Sequence, residues 1–210
     1  MPLEILTFIT GPLDNNTYLL ADTATRQAAV IDPGYDSPQL ILDSLAREQW
    51  TLSSILLTHA HFDHIAGVKT LAQAAPQAAI ALHSLDLPLY LDSGWAAQFG
   101  FDLPQPPRPR VSLQHQQVLQ LGEMELRVLH TPGHCPGHVA FAAPAAGVVF
   151  SGDLIFYRGV GRTDLPGGSE RILLESIRSH IFTLPPETRL LSGHGPETTV
   201  GEEQAENPFL

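Results

Sequence analysis

The chain has 210 residues, 43% of them hydrophobic, which is enough for a sizeable core in one large domain or two small ones. No apolar run approaches the roughly 20 residues of a membrane span, and a net charge of −11 without a basic cluster argues against nucleic acid or an anionic membrane as the main partner. The one cysteine, Cys135, allows no internal disulfide, and the N-terminus lacks a basic signal-peptide segment, so we expect a cytoplasmic protein.

The first half of the chain is predicted to alternate short apolar strands with helices. Ser37 or Asp36 is suited to cap one helix, and Pro76 would end another. The predicted elements in chain order are strands Ile5–Thr10, Tyr18–Ala21 and Ala28–Ile31, a helix over Pro38–Gln49, strand Ile55–Leu57, a helix over His64–Ala75 and strand Ala79–Leu82.

The second half repeats this pattern after a segment of mixed character. We expect Leu85–Gly100 to be partly helical, whereas Leu103–Arg110 is too rich in proline for regular structure. The remaining predicted elements are strands Glu125–Leu129, Val139–Ala142 and Val148–Ser151, a helix over Arg171–His180 and strand Arg189–Leu191. This order predicts an α/β fold with helices covering sheets, and since no interdomain linker is visible, a single domain over residues 1–210.

The stretch LLTHAHFDHIAG (Leu56–Gly67) carries an unusual density of possible metal ligands. Side chains two residues apart on an extended chain point the same way, so His59 and His61 can converge on one point. Asp63 and His64 follow where the chain turns into a helix, so they can face a second point nearby. Imidazole and carboxylate suit zinc, iron or manganese. A packed or exposed role is the ordinary explanation for one histidine, but it fits this block poorly.

Similar residues recur downstream, each soon after a predicted strand. His134 and His138 occur in VLHTPGHCPGH, Asp153 in VVFSGDLIF and His194 in LLSGHGP. Ligand sites gather at strand ends in sheets covered by helices. Each of these residues alone would suit a structural role, but together with the first block they supply enough groups for two metal ions.

These motifs resemble the metallo-β-lactamase superfamily. The resemblance rests on T-H-x-H-x-D-H, T-P-G-H, S-G-D, S-G-H-G-P and VIDPG, and it covers nearly the whole chain. It implies an αββα sandwich of two mixed β-sheets with helices on the outer faces and metal in the cleft between sheet edges. Within the superfamily, TPGHCPGHVAF, SGDLIF and GVGRTDLPGG look most like the glyoxalase II (hydroxyacylglutathione hydrolase) branch.

The resemblance also implies a ligand set and a reaction. Site one would comprise His59, His61 and His134, and site two would comprise Asp63, His64 and His194. Asp153 would bridge the two sites, and Asp32 of VIDPG would lie behind the ligands. One or two divalent ions, zinc or iron with manganese as a further option, would activate water to hydroxide for attack on a thioester carbonyl. Asp63 or Asp153 could handle the proton.

The residues that would recognise the substrate are less clearly marked. Arg162 resembles the basic residue of that branch that meets the glycine carboxylate of glutathione. Arginine binds carboxylates bidentately. A local ion pair with Asp164 is an equally good explanation for Arg162, and Tyr157 and Arg158 are weaker candidates for substrate contact. The segment Leu85–Arg110 could wall the pocket through Tyr90, Trp95 and Phe99, although plain packing explains these aromatics equally well.

Three interpretations of function therefore remain open. The favoured one is hydrolysis of a small anionic thioester such as S-lactoylglutathione. Full-length glyoxalase II adds a basic C-terminal helical segment, whereas here GEEQAENPFL follows soon after His194 and is acidic. The first alternative is a persulfide dioxygenase of the same fold, which would use His59, His134 and Asp153 as a 2-His-1-carboxylate iron site. The second is a non-catalytic metal-binding protein. The oligomeric state is not indicated by the sequence.

Overall fold

Short runs of apolar residues form two six-stranded sheets, which the computed structural model describes within residues 3–210. The first sheet keeps its strands in chain order; the first three pair antiparallel, and the strands from the third onward pair in parallel. These strands are β1 (Leu3–Thr10), β2 (Asn15–Asp22), β3 (Gln27–Ile31), β4 (Thr51–Leu56), β5 (Ala79–His83) and β6 (Val111–Leu113).

The second sheet is built from the C-terminal half of the chain. Its six strands are β7 (Val118–Leu121), β8 (Met124–His130), β9 (Val139–Ala143), β10 (Val148–Gly152), β13 (Arg189–Ser192) and β14 (Thr198–Thr199). Between β10 and β13 in the chain, β11 (Ile155–Phe156) and β12 (Gly159–Val160) form a small separate hairpin. The spatial order in the sheet is β14-β13-β10-β9-β8-β7. Only the β10–β13 pair within this sheet is parallel, so the sheet is mixed.

Six short α-helices accompany the sheets. They are α1 (Ser37–Glu48), α2 (Phe62–Ile65), α3 (Val68–Ala74), α4 (Leu87–Leu91), α5 (Glu170–Ser176) and α6 (Val200–Glu206). Segments Ser84–Asp86, Ser93–Phe99 and Pro144–Ala146 form 3-10 turns, and a π-helical turn over Ile177–Ile181 continues α5. Within residues 3–210, no helix is both long and apolar enough to cross a bilayer.

Three apolar clusters show how these elements are layered. Successive residues of a strand point to opposite faces, so Leu19 packs beneath the first-sheet helices while Leu20 packs between the sheets. The inter-sheet cluster joins residues of both sheets, including Leu56 and Phe141. A third cluster packs Leu173 of α5 on the outer face of the second sheet. The predicted αββα sandwich is thereby confirmed.

Several local predictions differ from the structure. The helix predicted over His64–Ala75 is broken into α2 and α3 at Gly67, whose N–H donates to the carbonyl of Pro33 at 2.7 Å. The helix predicted over Arg171–His180 ends as an α-helix at Ser176 and becomes the π-helical turn. Elements without a sequence prediction are β6, β7, β11, β12, β14 and α6.

Candidate metal centre

The seven predicted ligands come from segments that follow strands at one edge of the two sheets. His59 and His61 lie in the extended segment after β4, and α2 then carries Asp63 and His64. From the second sheet, His134 lies between β8 and β9, whereas Asp153 follows β10 and His194 follows β13. The structure brings all seven side chains together.

The first group of ligand atoms belongs to three buried histidines, His59, His61 and His134. One ligand atom of each lies within 4.8 Å of the others. His61 Nδ1 is 2.8 Å from His134 Nε2, and the ring of His59 is nearly perpendicular to both neighbouring rings. Three imidazole nitrogens converging on one point form a coordination geometry typical of zinc or iron sites.

The second group combines Asp63, His64 and His194. His194 Nε2 is 3.2 Å from Asp63 Oδ2, and His64 Nε2 is 3.4 Å from the same oxygen. The two histidine Nε2 atoms are 3.3 Å apart. One carboxylate oxygen and two imidazole nitrogens therefore converge on a second point.

Asp153 lies between the two groups. Its Oδ1 is 3.4 Å from His64 Nε2, and its Oδ2 is 3.6 Å from His194 Nε2 and 3.7 Å from His134 Nε2. One carboxylate that approaches ligands of both groups is suited to bridge two cations.

The chemistry of these donors fits a bound cation. His59 Nε2, His61 Nε2 and Asp153 Oδ1 are buried and make no hydrogen bond to any described residue. A buried polar atom without a partner costs about 1–3 kcal/mol. A cation at the convergence points would offset that cost at His59 and Asp153, since both atoms would become ligands.

Four of the five candidate histidine ligands are oriented through the ring nitrogen that faces away from the centre. Each Nδ1 has an oxygen acceptor, at 3.0 Å for His59 with Thr58 Oγ1, 3.0 Å for His64 with Asp32 Oδ2, 2.8 Å for His134 with the Arg162 carbonyl and 2.9 Å for His194 with the Leu13 carbonyl. An Nδ1–H that donates outward leaves the Nε2 lone pair directed at the centre.

Asp32 supports two of these histidines from behind. Its Oδ2 accepts from His64 Nδ1 and from the Thr58 hydroxyl at 2.5 Å, and its Oδ1 accepts from the Thr58 N–H at 2.7 Å. Because the Thr58 hydroxyl donates to Asp32, its oxygen accepts the proton of His59 Nδ1. Asp32 thus lies where the resemblance of VIDPG implied, and it orients one histidine of each group.

Burial and the neighbouring charges set the protonation of these ligands. Burial lowers the pKa of His59 well below its usual value, and burial with the adjacent His134 lowers the pKa of His61 to about 3. Burial also opposes ionisation of Asp63, but His64 and His194 outweigh it and lower the pKa of that carboxyl. Burial alone would lower the pKa of His64, yet Asp63 and Asp153 raise it. A cation at the second group therefore competes with a proton for His64.

His138 positions Asp153 rather than joining either ligand group. It is fully buried, and its Nε2 accepts from the N–H of Asp153 at 3.1 Å. Its Nδ1 then carries the proton and donates to Thr131 Oγ1 at 2.9 Å. Burial lowers the pKa of His138 well below its usual value, so the ring stays neutral.

Two glycines let Asp153 enter this crowded edge. A Cβ at Gly193 would collide with Asp153 Oδ1 and lie 2.8 Å from His64 Cε1. A Cβ at Gly161 would collide with the carbonyl of Asp153. Gly193 of SGH is therefore required by close approach to the Asp153 side chain, and Gly161 of GVGR by close approach to the Asp153 main chain.

Asp86 connects the two loops that carry the first ligand group, and sequence reasoning missed it. Its Oδ2 accepts from the Ala60 N–H at 3.1 Å and from the Cys135 thiol at 3.0 Å, while its Oδ1 accepts from the Gly137 N–H at 2.6 Å. The available signal was an aspartate three residues after the end of strand β5, whereas Asp153 directly follows strand β10. Burial raises the pKa of the Cys135 thiol, which therefore acts as a structural donor.

We expect Asp86→Ala to lower metal affinity about 10- to 100-fold, the range typical when partners behind ligands are removed. The physical reason is that the loops holding His61 and His134 lose their shared acceptor. Metal competition with a chelator measures the effect, and Asp92→Ala, at a nearby exposed aspartate, is the matched control. Unchanged metal affinity with only a lower melting temperature would show that Asp86 serves the fold alone.

The centre opens into a cavity of about 540 Å³. Its lining residues are Leu13, His61, Phe62, Asp63, Phe99, His134, Asp153, Phe156, Val160, Arg162, Leu165 and His194. A cavity of this size suits a small molecule and opens directly onto residues of both ligand groups.

Some of the residues predicted to contact the substrate or wall the pocket line the cavity, and others do not. Arg162 lines the cavity and also forms a bidentate ion pair with Asp164, at 2.7 and 2.8 Å. Tyr157 is 48% exposed and is not among the lining residues; its neighbour Phe156 takes that position. Phe99 lines the cavity as expected for a wall residue, whereas Tyr90 is buried in the core and donates to the Pro107 carbonyl.

Comparison with known proteins agrees with this fold and identifies the family. Residues 10–194 match the family model described as the metallo-beta-lactamase superfamily. The chain is 37% identical to a probable metallo-hydrolase, YqgX, of Bacillus subtilis, covering 95% of this chain and 94% of that protein. It is 35% identical to the hydroxyacylglutathione hydrolase GloC of Haemophilus influenzae, covering 88% of each chain.

Solved structures give the same assignment. The B3 metallo-beta-lactamase BLEG-1 superposes with a TM-score of 0.92 at 37% identity, covering 99% of both chains. TTHA1623, solved in a di-iron-bound form, superposes with a TM-score of 0.88 at 44% identity, covering 98% of this chain and all of that one. ETHE1 from Myxococcus xanthus gives 0.81 at 29% identity, covering 98% and 83%. The motif resemblance is thereby confirmed: this chain belongs to the metallo-beta-lactamase superfamily, whose members are metal-dependent hydrolases.

Proposed function

We propose that this protein hydrolyses small anionic thioesters such as S-lactoylglutathione. The observation that carries the proposal is that two ligand groups sharing Asp153 open into one cavity that also contains Arg162. The similarity to GloC, a hydroxyacylglutathione hydrolase, supports the same choice of substrate. Hydrolysis would add water across the bond between acyl carbon and sulfur, giving a carboxylic acid and a thiol.

The chain's own residues would hold one or two divalent ions. His59, His61 and His134 would bind the first, Asp63, His64 and His194 the second, and Asp153 both. Zinc, iron and manganese all suit these donors. When bound, such ions supply Lewis acidity, which polarises a carbonyl and lowers the pKa of water toward 7.

Asp63 and Asp153 are the residues proposed to manage the proton. Burial opposes ionisation of both carboxyls, but the neighbouring histidines, including His64 and His194, together outweigh it and lower both pKa values, so both carboxyls are ionised at neutral pH. Their Oδ2 atoms both approach His194 Nε2, at 3.2 and 3.6 Å. A proton released in the centre would therefore find carboxylate oxygens within hydrogen-bonding reach, and His138 fixes the main chain from which Asp153 projects.

Arg162 is proposed to bind a carboxylate of the substrate. The Arg162 hydrogen bond holds the pKa of Asp164 at about 2, so both side chains stay charged between pH 5 and 9. Both side chains are more than half exposed, and an exposed ion pair contributes little stability. A substrate carboxylate can therefore replace Asp164 on the same bidentate face of Arg162 at small cost.

Arg162→Ala should lower kcat/KM for S-lactoylglutathione by about 10- to 150-fold, because a charge-assisted contact contributes about 1.5–3 kcal/mol. The loss should lie mainly in KM, if the contact is equally strong in ground and transition states, and should not vary between pH 5 and 9. Steady-state kinetics on this substrate and on a neutral thioester measure it.

Two controls separate recognition from structure. Arg171→Ala removes another exposed ion pair, Arg171–Glu175, whose residues do not line the cavity, and should leave the kinetics unchanged. Asp164→Ala removes only the partner and should leave KM unchanged or lower. Equal losses on charged and neutral thioesters, or a melting temperature that falls with activity, would instead make Arg162 a structural partner of Asp164.

A second candidate activity is iron-dependent oxygenation of a persulfide. Its motivation is that His59, His134 and Asp153 could form a 2-His-1-carboxylate set, with His134 Nε2 3.7 Å from Asp153 Oδ2. The second ligand group favours hydrolysis, since a mononuclear oxygenase does not need it. Metal analysis of purified protein, with parallel thioester hydrolysis and oxygen-uptake assays, distinguishes the two activities.

A further inference from the structure

One side of the cavity is formed by aromatic and aliphatic side chains. The ring of Phe62 stacks on Phe99 with centroids 5.3 Å apart, and the ring of Phe156 lies 6.1 Å from that of His194. Leu13 is 48% exposed and Phe99 is 42% exposed, although both are large apolar residues. Exposed apolar side chains that adjoin a polar centre are typical of a surface that binds a ligand.

The residues that line the cavity differ between the end beside the first ligand group and the end beside the second. The carbonyl of Arg162 accepts from His134, so the only arginine of the lining lies beside the first group. The carbonyl of Leu13 accepts from His194, and the ring of Phe156 lies near that imidazole, so Leu13 and Phe156 lie beside the second group. Phe62, on which Phe99 stacks, directly precedes Asp63 of the same group. Asp153 lies between them.

The apolar side is fixed in position by the packing of its own segment. Phe99 ends the 3-10 segment Ser93–Phe99, which presses against the backbone that carries His61. Gly94 adopts φ 63°, and a Cβ there would collide with the N–H of Phe62 and approach the Ala60 carbonyl. A wall that is already ordered costs less entropy when a ligand binds.

We infer that the acyl group of the substrate is an apolar chain, which packs on Leu13, Phe62, Phe99 and Phe156. This inference rests on the proposed thioester hydrolysis. A thioester whose thiol part carries the carboxylate for Arg162 has its scissile carbonyl near Asp153, and its acyl part must then extend toward the opposite side of the cavity. That side offers hydrocarbon, so it favours an aliphatic or aromatic acyl group over the small polar lactoyl group.

A series of S-acylglutathiones tests the inference with the thiol part constant. With the metal-loaded protein, kcat/KM should rise about twofold for each added methylene from acetyl to octanoyl, because an open cavity buries about half of each group. Phe99→Ala should lower kcat/KM for the octanoyl ester about 10-fold and change the acetyl ester less than twofold. Phe209→Ala, at a phenylalanine 56% exposed outside the lining, is the matched control.

Binding of non-hydrolysable S-alkylglutathiones separates this inference from the proposed function. Calorimetry should show S-octylglutathione binding more tightly than S-methylglutathione, with the difference reduced in Phe99→Ala and in Leu13→Ala, a second variant on a surface turn. Chain-dependent binding without any thioester hydrolysis would overturn the proposed function and support the apolar acyl site. Hydrolysis and binding that are both independent of chain length would overturn the inference and leave thioester hydrolysis supported.

Discussion

His59→Ala is expected to remove most of the bound metal and nearly all hydrolysis. His59 is fully buried, its Nε2 has no hydrogen-bond partner among the described residues, and its Nδ1 is fixed by Thr58. A centre with an open position for substrate cannot lose a ligand and keep its geometry. The loss should exceed the roughly 10- to 100-fold effect of removing residues behind the ligands.

The measurement combines metal content per chain with turnover in the presence of added metal. His115→Ala is the matched control, because His115 is exposed and belongs to neither ligand group. Circular dichroism checks that the fold is retained. Full turnover by a His59→Ala protein that retains no metal would refute the metal-dependent mechanism altogether.

Asp63→Ala and His194→Ala are each expected to lower hydrolysis strongly, because both belong to the second ligand group. Asp63 Oδ2 lies close to both His64 and His194, so removal of Asp63 or His194 leaves only two members of that group, together with Asp153, at the second point. If two ions act together, each variant should lose one ion per chain and approach the low activity of His134→Ala. Metal stoichiometry and kcat, measured on the same preparations, report both effects.

The contrary outcome has a defined meaning. If Asp63→Ala or His194→Ala keeps near wild-type turnover while His134→Ala is inactive, the working centre is mononuclear. His59, His134 and Asp153 would then form the relevant set, and oxygen uptake with a persulfide would become the decisive assay. Gly159→Ala in strand β12, outside both ligand groups, is a useful control, since a Cβ there meets only ordinary contacts.

The sequence was most informative at the ends of strands. The αββα fold followed from motif resemblance and is confirmed by the two sheets and their three apolar clusters. The seven proposed ligands were visible because histidine and aspartate recur after apolar strands, and the structure places them together. Their roles remain predictions until metal content and activity are measured.

Features that depend on distant segments could not be foreseen. The break at Gly67 coincides with a close approach of the distant segment Pro33–Gly34, whose carbonyls would lie 3.0 Å from a Cβ at Gly67 and one of which accepts from its N–H. Asp86 is itself marked by its place after a strand, but the groups it binds are main-chain groups of Ala60 and Gly137, which carry no sequence signal.

Other features were available in the sequence but were not used. Thr199 and Glu202 form a capping box at the start of α6, a pattern that predicts a helix at this position. Arg158, considered with Tyr157 as a possible contact, donates instead to Glu206 in that helix, and its guanidinium stacks over the Tyr157 ring. The acidic tail thereby engages an arginine that sequence reasoning had placed near the substrate.

The hydrogen bonds that orient His134 and His194 keep the support of the candidate metal centre independent of the side chains that line the cavity. Leu13 and Arg162 present their side chains to the cavity, but they orient these imidazoles through main-chain carbonyls. Any amino acid supplies such a carbonyl, so positions 13 and 162 are free to diversify without removing the support of the centre. Natural variation or a laboratory library at these two positions can therefore change substrate selectivity while the hydrogen bonds that orient His134 and His194 are kept.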